Sequence, residues 1–127
     1  MPRTDQRRAA VIAAYQHDLT GRPLDDTLAP RAAVFTRALA QAATDRTPEL
    51  DELIGRHSHG WAVTRIAPLE RSILRVALVE MLHPGAIDEA VETAKTFCGA
   101  DAPGFVNGVL DAILREVREN EASDALA

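Results

Sequence analysis

The sequence predicts an all-α fold. β-Branched residues never alternate with polar ones over the length of a strand. Alanine is abundant, whereas aromatics are limited to three Phe, one Tyr and one Trp. Helix-start and helix-stop signals recur along the whole chain. With 127 residues there is room for one core. A single domain over 1–118 is expected, as a bundle of about six or seven helices around a buried central one. Residues 119–127, rich in Glu, Asn, Ser and Asp, read as a frayed tail.

The first helix is expected from about Asp5 to Leu19, with Thr4 able to cap it and Thr20-Gly21-Arg22-Pro23 to stop it. At 100° per residue, Ile12, Tyr15 and Leu19 share a side with Val11. Arg3, Gln6, Arg7, Ala10, Ala14 and His17 form a second face that reads as small, basic and open. A loop through Asp25-Asp26 leads past Pro30 to a second helix, about Arg31 to Ala43, with Phe35, Leu39 and Ala42 at helical spacing. Thr47-Pro48-Glu49 marks a third start: Thr47 as N-cap, Pro48 in the first turn, and Glu49, Asp51 and Glu52 at the positive end of the dipole. This helix presents Leu50, Leu53 and Ile54 and ends near Gly60.

Pro68 opens the fourth helix, about Pro68 to Leu82, which has almost no polar face beyond its first two turns. A helix apolar nearly all round belongs at the centre. After His83-Pro84-Gly85 a fifth helix covers about Ile87 to Phe97, with Ile87, Ala90, Val91 and Ala94 inward and Asp88 placed to cap it. Cys98 to Gly104 reads as a turn. The sixth helix carries Phe105, Val106, Val109, Leu110, Ile113, Leu114 and Val117. Within it Gly108 suggests a close helix crossing and Asn107 a hydrogen bond to a neighbouring backbone.

Net charge is −5, which is unlike a protein that coats nucleic acid indiscriminately. The charge is unevenly spread: residues 1–75 hold 11 basic against 9 acidic side chains, residues 76–127 only 3 against 10. Phosphates would therefore lie nearer the N-terminal elements. Thirteen of the 14 basic residues are arginine, whose planar fork suits phosphate and stacks on bases. No apolar run approaches the ~20 residues that span a bilayer, and Met1-Pro2-Arg3-Thr4-Asp5 has no signal core, so a cytoplasmic protein without membrane contact is expected. The single Cys98 agrees with a reducing compartment.

Catalysis has little support. His57-Ser58-His59 and His83 show no metal-binding spacing, Cys98 lacks a sequence-evident histidine partner, and Gly99–Gly104 has no Lys-Ser/Thr of a phosphate loop. No enzyme, metal or cofactor is expected. Phe105 stands out differently. It follows Pro103-Gly104 at a helix start, where a ring can be partly exposed, so base stacking and core packing compete there.

Longer strings carry a family resemblance. Trp61, Arg65, Glu70, Arg71, Ile73, Leu74, Arg75, Ala77 and Glu80 stand at the spacing W-x-x-x-R-x-x-x-x-E-R-x-I-L-R-x-A-x-x-E of NusB-family proteins. Ile87 to Phe97 resembles the family's I-N-E-A-V-E-L-A-K-x-F, with Asp88 where the family has Asn, and Phe105 to Asp111 matches F-V-N-G-V-L-D unchanged. With Arg7-Arg8-Ala9 to Tyr15-Gln16, the resemblance covers nearly the whole chain in order.

The resemblance implies an all-helical, non-catalytic RNA-binding factor. It would pair with the ribosomal protein NusE and recognise single-stranded boxA RNA of ribosomal RNA leaders, acting in transcription antitermination and rRNA maturation alongside the elongation complex and other Nus factors. By position, Arg3, Arg7, Tyr15, Asp101 and Phe105 match the family's RNA-contact regions, and Glu70 falls where the family meets NusE. Thr4, Asp5 and Gln6 thin the N-terminal arginine cluster, so NusE would supply part of the binding. A homodimer is compatible with the sequence. Two other readings stay open: a stand-alone module related to the N-terminal domain of an rRNA cytosine methyltransferase, and a purely protein-binding helical module.

Overall fold

The computed structural model describes residues 2–58, 60–81 and 86–126, which form seven α-helices and one turn of 3-10 helix. The all-α expectation holds. His59, Leu82 and the expected break at His83-Pro84-Gly85 lie outside the described residues.

Helix α1 spans Arg3–Thr20. It begins before Thr4, which is therefore not its cap; the opening bond runs from Gln6 N–H to the Pro2 carbonyl (3.1 Å). At the other end Gly21 adopts φ 72°, a left-handed value that favours glycine, and its N–H donates to His17 O. Ala10, Val11, Ala13 and Ala14 are buried. The face that reads as open is therefore largely closed, because small side chains let neighbouring helices approach α1 closely.

A one-turn helix, α2 (Leu24–Thr27), stands where a loop was expected. Leu24 and Leu28 are buried at its two ends, and Thr27 Oγ1 lies within hydrogen-bond distance of Ala13 O (3.0 Å) and Leu24 O (2.7 Å). Helix α3 (Val34–Asp45) starts three residues later than expected, after Ala32 N–H turns back to Ala29 O. It buries Thr36, Leu39, Ala40 and Ala43, leaving Phe35 and Ala42 half-buried beside that stripe. Thr36 Oγ1 donates to Gln6 O (3.0 Å), fastening α3 to α1.

Helix α4 (Thr47–Arg56) has Pro48 in its first turn as expected, but Arg46 is its N-cap. Thr47 is the first helical residue, and its hydroxyl turns back to Ala43 O and Thr44 O. The helix ends before Gly60. Ser58 then anchors the following loop: its hydroxyl is 2.8 Å from Ile54 O and 3.1 Å from Trp61 O. Gly60 takes φ 83°, and the chain runs through Trp61 into the 3-10 turn Val63–Arg65.

Helix α5 (Pro68–Val79) buries every residue from Ser72 to Leu78 and packs against α1, α3, α4 and, among the later elements described next, the two C-terminal helices. The expected central helix is thus found, ending at Val79. Burying Ile73, Leu74, Val76 and Leu78 contributes roughly 1.5–3 kcal/mol each before chain entropy. Arg75 is the unexpected member, a cation 7% exposed. It is tolerated because Asp51 (2.8 Å) and Asp18 (3.4 Å) pair with it, while Arg71 also holds Asp18 (2.9 Å). Burial works against the Asp18 carboxylate, but the Arg71 hydrogen bond and the Arg75 and Arg71 charges outweigh it and hold its pKa below the usual range. This network joins α1, α4 and α5.

Helix α6 covers Ala86–Phe97 and α7 Ala102–Leu126, packed along one another. In α6 the buried stripe is Ala86, Ala90, Thr93 and Ala94, with Ile87 and Val91 half-buried. Asp88 is in the first turn instead of capping. The turn before α7 is only Cys98–Asp101, since Pro103 and Gly104 already belong to the helix, where a first-turn proline loses no hydrogen bond. Helix α7 also continues to Leu126, so residues 119–126 are helical where composition predicts a frayed tail.

Gly108 does not mark a close crossing. It is exposed, and a Cβ placed there meets nothing within 4 Å. Asn107 is likewise exposed and makes no hydrogen bond to a backbone group among the described residues. Gly108→Ala is therefore expected to raise stability by about 0.5–1 kcal/mol, since helical glycine carries an entropic penalty and no clash opposes the methyl group. Urea denaturation checks this, and a loss of stability would restore the packing role.

Candidate nucleic-acid interface

Three of the residues singled out from the sequence come together in one groove. Glu70 enters from the first turn of α5, Asp101 from the turn after α6, and Phe105 from the first turns of α7. Trp61, Arg65 and Ile66 also line this shallow depression of about 370 Å³. The Ser58 hydroxyl and the left-handed Gly60 place Trp61, and the 3-10 turn places Arg65. Trp61 is 57% exposed, an unusual position for the largest apolar side chain. Phe105 is half-buried, packed against the core, and it lines the groove.

Glu70, in the first turn of α5, is half-buried. It has no ion pair among the described residues, and burial pushes its carboxyl up from the ordinary value. Cys98 lies close by: burial and then the Glu70 charge push its thiol up, which is the opposite of an activated nucleophile. Arg65 is exposed and makes no ion pair among the described residues. The groove thus offers two aromatic rings, one guanidinium and two carboxylates, Glu70 and Asp101, none of them in an ion pair among the described residues. Such a surface suits stacking and ionic recognition.

The other three residues lie on α1. Arg3 is exposed and stands over the Phe35 ring, 4.0 Å from its centroid. Tyr15 is half-buried. Arg7 is not on an open face: its side chain is 12% exposed and clamped between two carboxylates. Nε donates to both Glu80 oxygens (3.0 and 2.9 Å) and Nη1 to both Glu89 oxygens (2.9 and 3.0 Å). Burial alone would lower its pKa, but Glu80 and Glu89 reverse this and raise it. The sequence contained both acids within recognisable strings, but nothing in helical spacing says that they meet Arg7.

Sequence reasoning also passed over Trp61 and Arg65 as site residues. Their signal was present as a tryptophan outside any amphipathic stripe. Among the described residues no three His, Cys, Asp or Glu side chains form a group that could hold a metal ion. No helix there is long and apolar enough to cross a membrane.

A rigid helical scaffold presenting an aromatic and charged surface groove defines a small helical binding domain. The chain belongs to the NusB family, whose profile matches residues 4–115. It is 34% identical to the transcription antitermination protein NusB of Symbiobacterium thermophilum, over 98% of this chain and 96% of that one. Its fold superposes on T. maritima NusB with a TM-score of 0.81 at 28% identity, over 91% of this chain and 92% of that one. A structure of antitermination factors NusB and NusE in complex with double-stranded RNA matches with a TM-score of 0.78 at 25% identity, over 91% and 99% of the two chains.

Proposed function

We propose that the protein is a transcription antitermination factor that pairs with NusE and binds single-stranded boxA RNA of ribosomal RNA leaders, supporting their transcription and maturation in the cytoplasm. The groove carries this reading, because it sets a partner-seeking carboxylate, Glu70, beside the aromatic wall of Phe105. Protein and RNA would meet there side by side. Phe105 and Asp101 face the RNA, with Arg3 and Tyr15 of α1 extending the surface, and Glu70 receives a cation from NusE. Arg7 stands at the border of this surface, its charge already shared with Glu80 and Glu89. Relatives matched over almost their full length carry the antitermination name, and one is seen with NusE and double-stranded RNA. This favours antitermination over the methyltransferase-module and purely protein-binding readings.

The test is titration of labelled boxA RNA with the protein, alone and with NusE, together with a Glu70 variant. Glu70→Lys is expected to weaken NusE association about tenfold or more, because a like charge then faces the partner's cation. The fold should survive. A carboxyl whose folded pKa lies above its unfolded value lends stability only at low pH, below the ordinary 4.5, and loses it as pH rises through the folded value. Glu70→Gln should accordingly be no less stable than the wild type at neutral pH, while still pairing poorly with NusE. Unchanged NusE affinity in a folded Glu70→Lys protein would remove Glu70 from the interface.

A further inference from the structure

Helix α1 turns two consecutive arginines into different surroundings. Arg7 is neutralised by Glu80 and Glu89, whereas Arg8, about 100° further round the helix, reaches the C-terminal end of α6. There one of its terminal nitrogens donates to Thr96 Oγ1 (3.3 Å), and its guanidinium carbon lies 6.0 Å from the centroid of the Phe97 ring. No carboxylate pairs with Arg8 among the described residues. The nearest acid along α6, Glu92, is held by Lys95 (3.1 Å). Arg8 Nε is enclosed and has no hydrogen-bond partner among the described residues, so the side chain is held by the ring and the hydroxyl and not by a countercharge.

Phe97 adds the second half of the arrangement. It is 42% exposed, one of four large apolar side chains with substantial exposure among the described residues. The turn Cys98–Asp101 and the first turn of α7 connect it to Asp101 and Phe105 in the groove. A positioned, uncompensated guanidinium next to an exposed ring matches the two features that every nucleotide of a single strand repeats, an anionic phosphate and a planar base. Arg3 and Arg7 both stand over the Phe35 ring (4.0 and 5.4 Å), the other arginine–aromatic pairs of α1 among the described residues.

We propose that Arg8 and Phe97 form an additional RNA subsite, Arg8 binding a phosphate and Phe97 stacking a base, which extends the groove surface toward α1. This rests on the single-stranded RNA reading above. In this reading a phosphate contact on α1 comes from Arg8, and Arg7 serves to hold α1 in place.

The experiment is a fluorescence-anisotropy titration of single-stranded boxA RNA with the full chain and NusE at several salt concentrations, with melting temperatures as a folding control. Arg8→Ala is expected to lower RNA affinity about 5- to 10-fold near 0.1 M salt and to flatten the salt slope by about 0.7, the value for one phosphate contact with a single strand. Arg8→Lys should keep the slope and recover only part of the affinity, since ammonium lacks the planar fork. Phe97→Leu, which keeps bulk without a π-face, should lower affinity about fivefold and leave the slope alone. A purely structural role moves neither quantity in this split way. If wild-type complex binds the RNA but folded Arg8→Ala keeps both affinity and slope, the subsite is overturned. An equal loss of NusE binding in the absence of RNA overturns it as well, by assigning Arg8 to the protein interface. Should the wild-type complex itself fail to bind boxA RNA, the antitermination reading and the subsite fall together.

Discussion

Arg7→Ala is expected to lower the unfolding free energy by about 2–4 kcal/mol, a large fraction of the stability of a domain this size. The magnitude follows from what the substitution leaves behind. Glu80, with its side chain 10% exposed, would keep its charge in a poorly hydrated position without a counter-ion, and Glu89, at 32%, would lose its partner beside it. Removing one partner of a buried pair costs the desolvation of the other, whereas the pair as a whole contributes little net energy. Glu89 is open enough to recover some hydration, which places the estimate below the upper end for fully enclosed pairs. The clamp also joins the ends of α5 and α6 to α1, so its loss should loosen the N-terminal turns that carry Arg3. Chemical denaturation of Arg7→Ala and of Arg7→Ala/Glu80→Gln checks this. The second change should return part of the loss by removing the orphaned charge. A single variant within 0.5 kcal/mol of wild type would show that water reaches Glu80 freely.

The bundle was legible because helical periodicity is local. Proline starts at Pro48 and Pro68, the glycine stop at Gly21 and the apolar run Ile73–Val79, broken only by Arg75, each act within one or two turns. Boundaries were less legible where tertiary contact decides them. Helix α2 is a single turn, too short for a period, and forms because Leu24 and Leu28 are buried against the core and Thr27 reaches the backbone of α1. Thr4 and Thr47 resemble caps, yet both are inside their helices; the Thr47 hydroxyl bonds a preceding carbonyl, Ala43 O, instead of a following N–H. Polar composition after Glu119 favours solvent exposure, which the exposed end of α7 satisfies without ceasing to be helical.

The candidate site divided in the same way. Phe105 and Glu70 belong to recognisable strings and Asp101 to the turn between two of them, and the fold places all three around one groove. What the strings do not show is which arginine meets a countercharge. Arg3, Arg7 and Arg8 are equivalent in sequence, and only long-range pairing separates them: Arg7 meets acids 73 and 82 residues away, Arg8 a threonine 88 residues away. Trp61 was hidden for a related reason. It lies outside any helix, so no periodicity says which side of the chain it faces.

Phe105→Ala is expected to cost about 1–3 kcal/mol of RNA affinity in the complex with NusE, the range for removing one base-stacking ring. The ring is half-buried, packed on the core and lining the groove that Trp61 and Arg65 also line. Its truncation should therefore cost about 1.5–3 kcal/mol of stability, less than the 3–5 kcal/mol of a fully enclosed phenylalanine. Phe105→Tyr keeps the π-face, and the open groove gives a hydroxyl access to water, so both quantities should stay close to wild type. Phe105→Leu separates the two roles most sharply. Leucine retains most of the packing volume but no planar face, so stability should recover while RNA affinity remains low. RNA titration and thermal unfolding of the three variants measure both effects. If Phe105→Leu restores RNA affinity together with stability, the ring acts only as packing, and recognition must come from Trp61, Asp101 and the arginines around it.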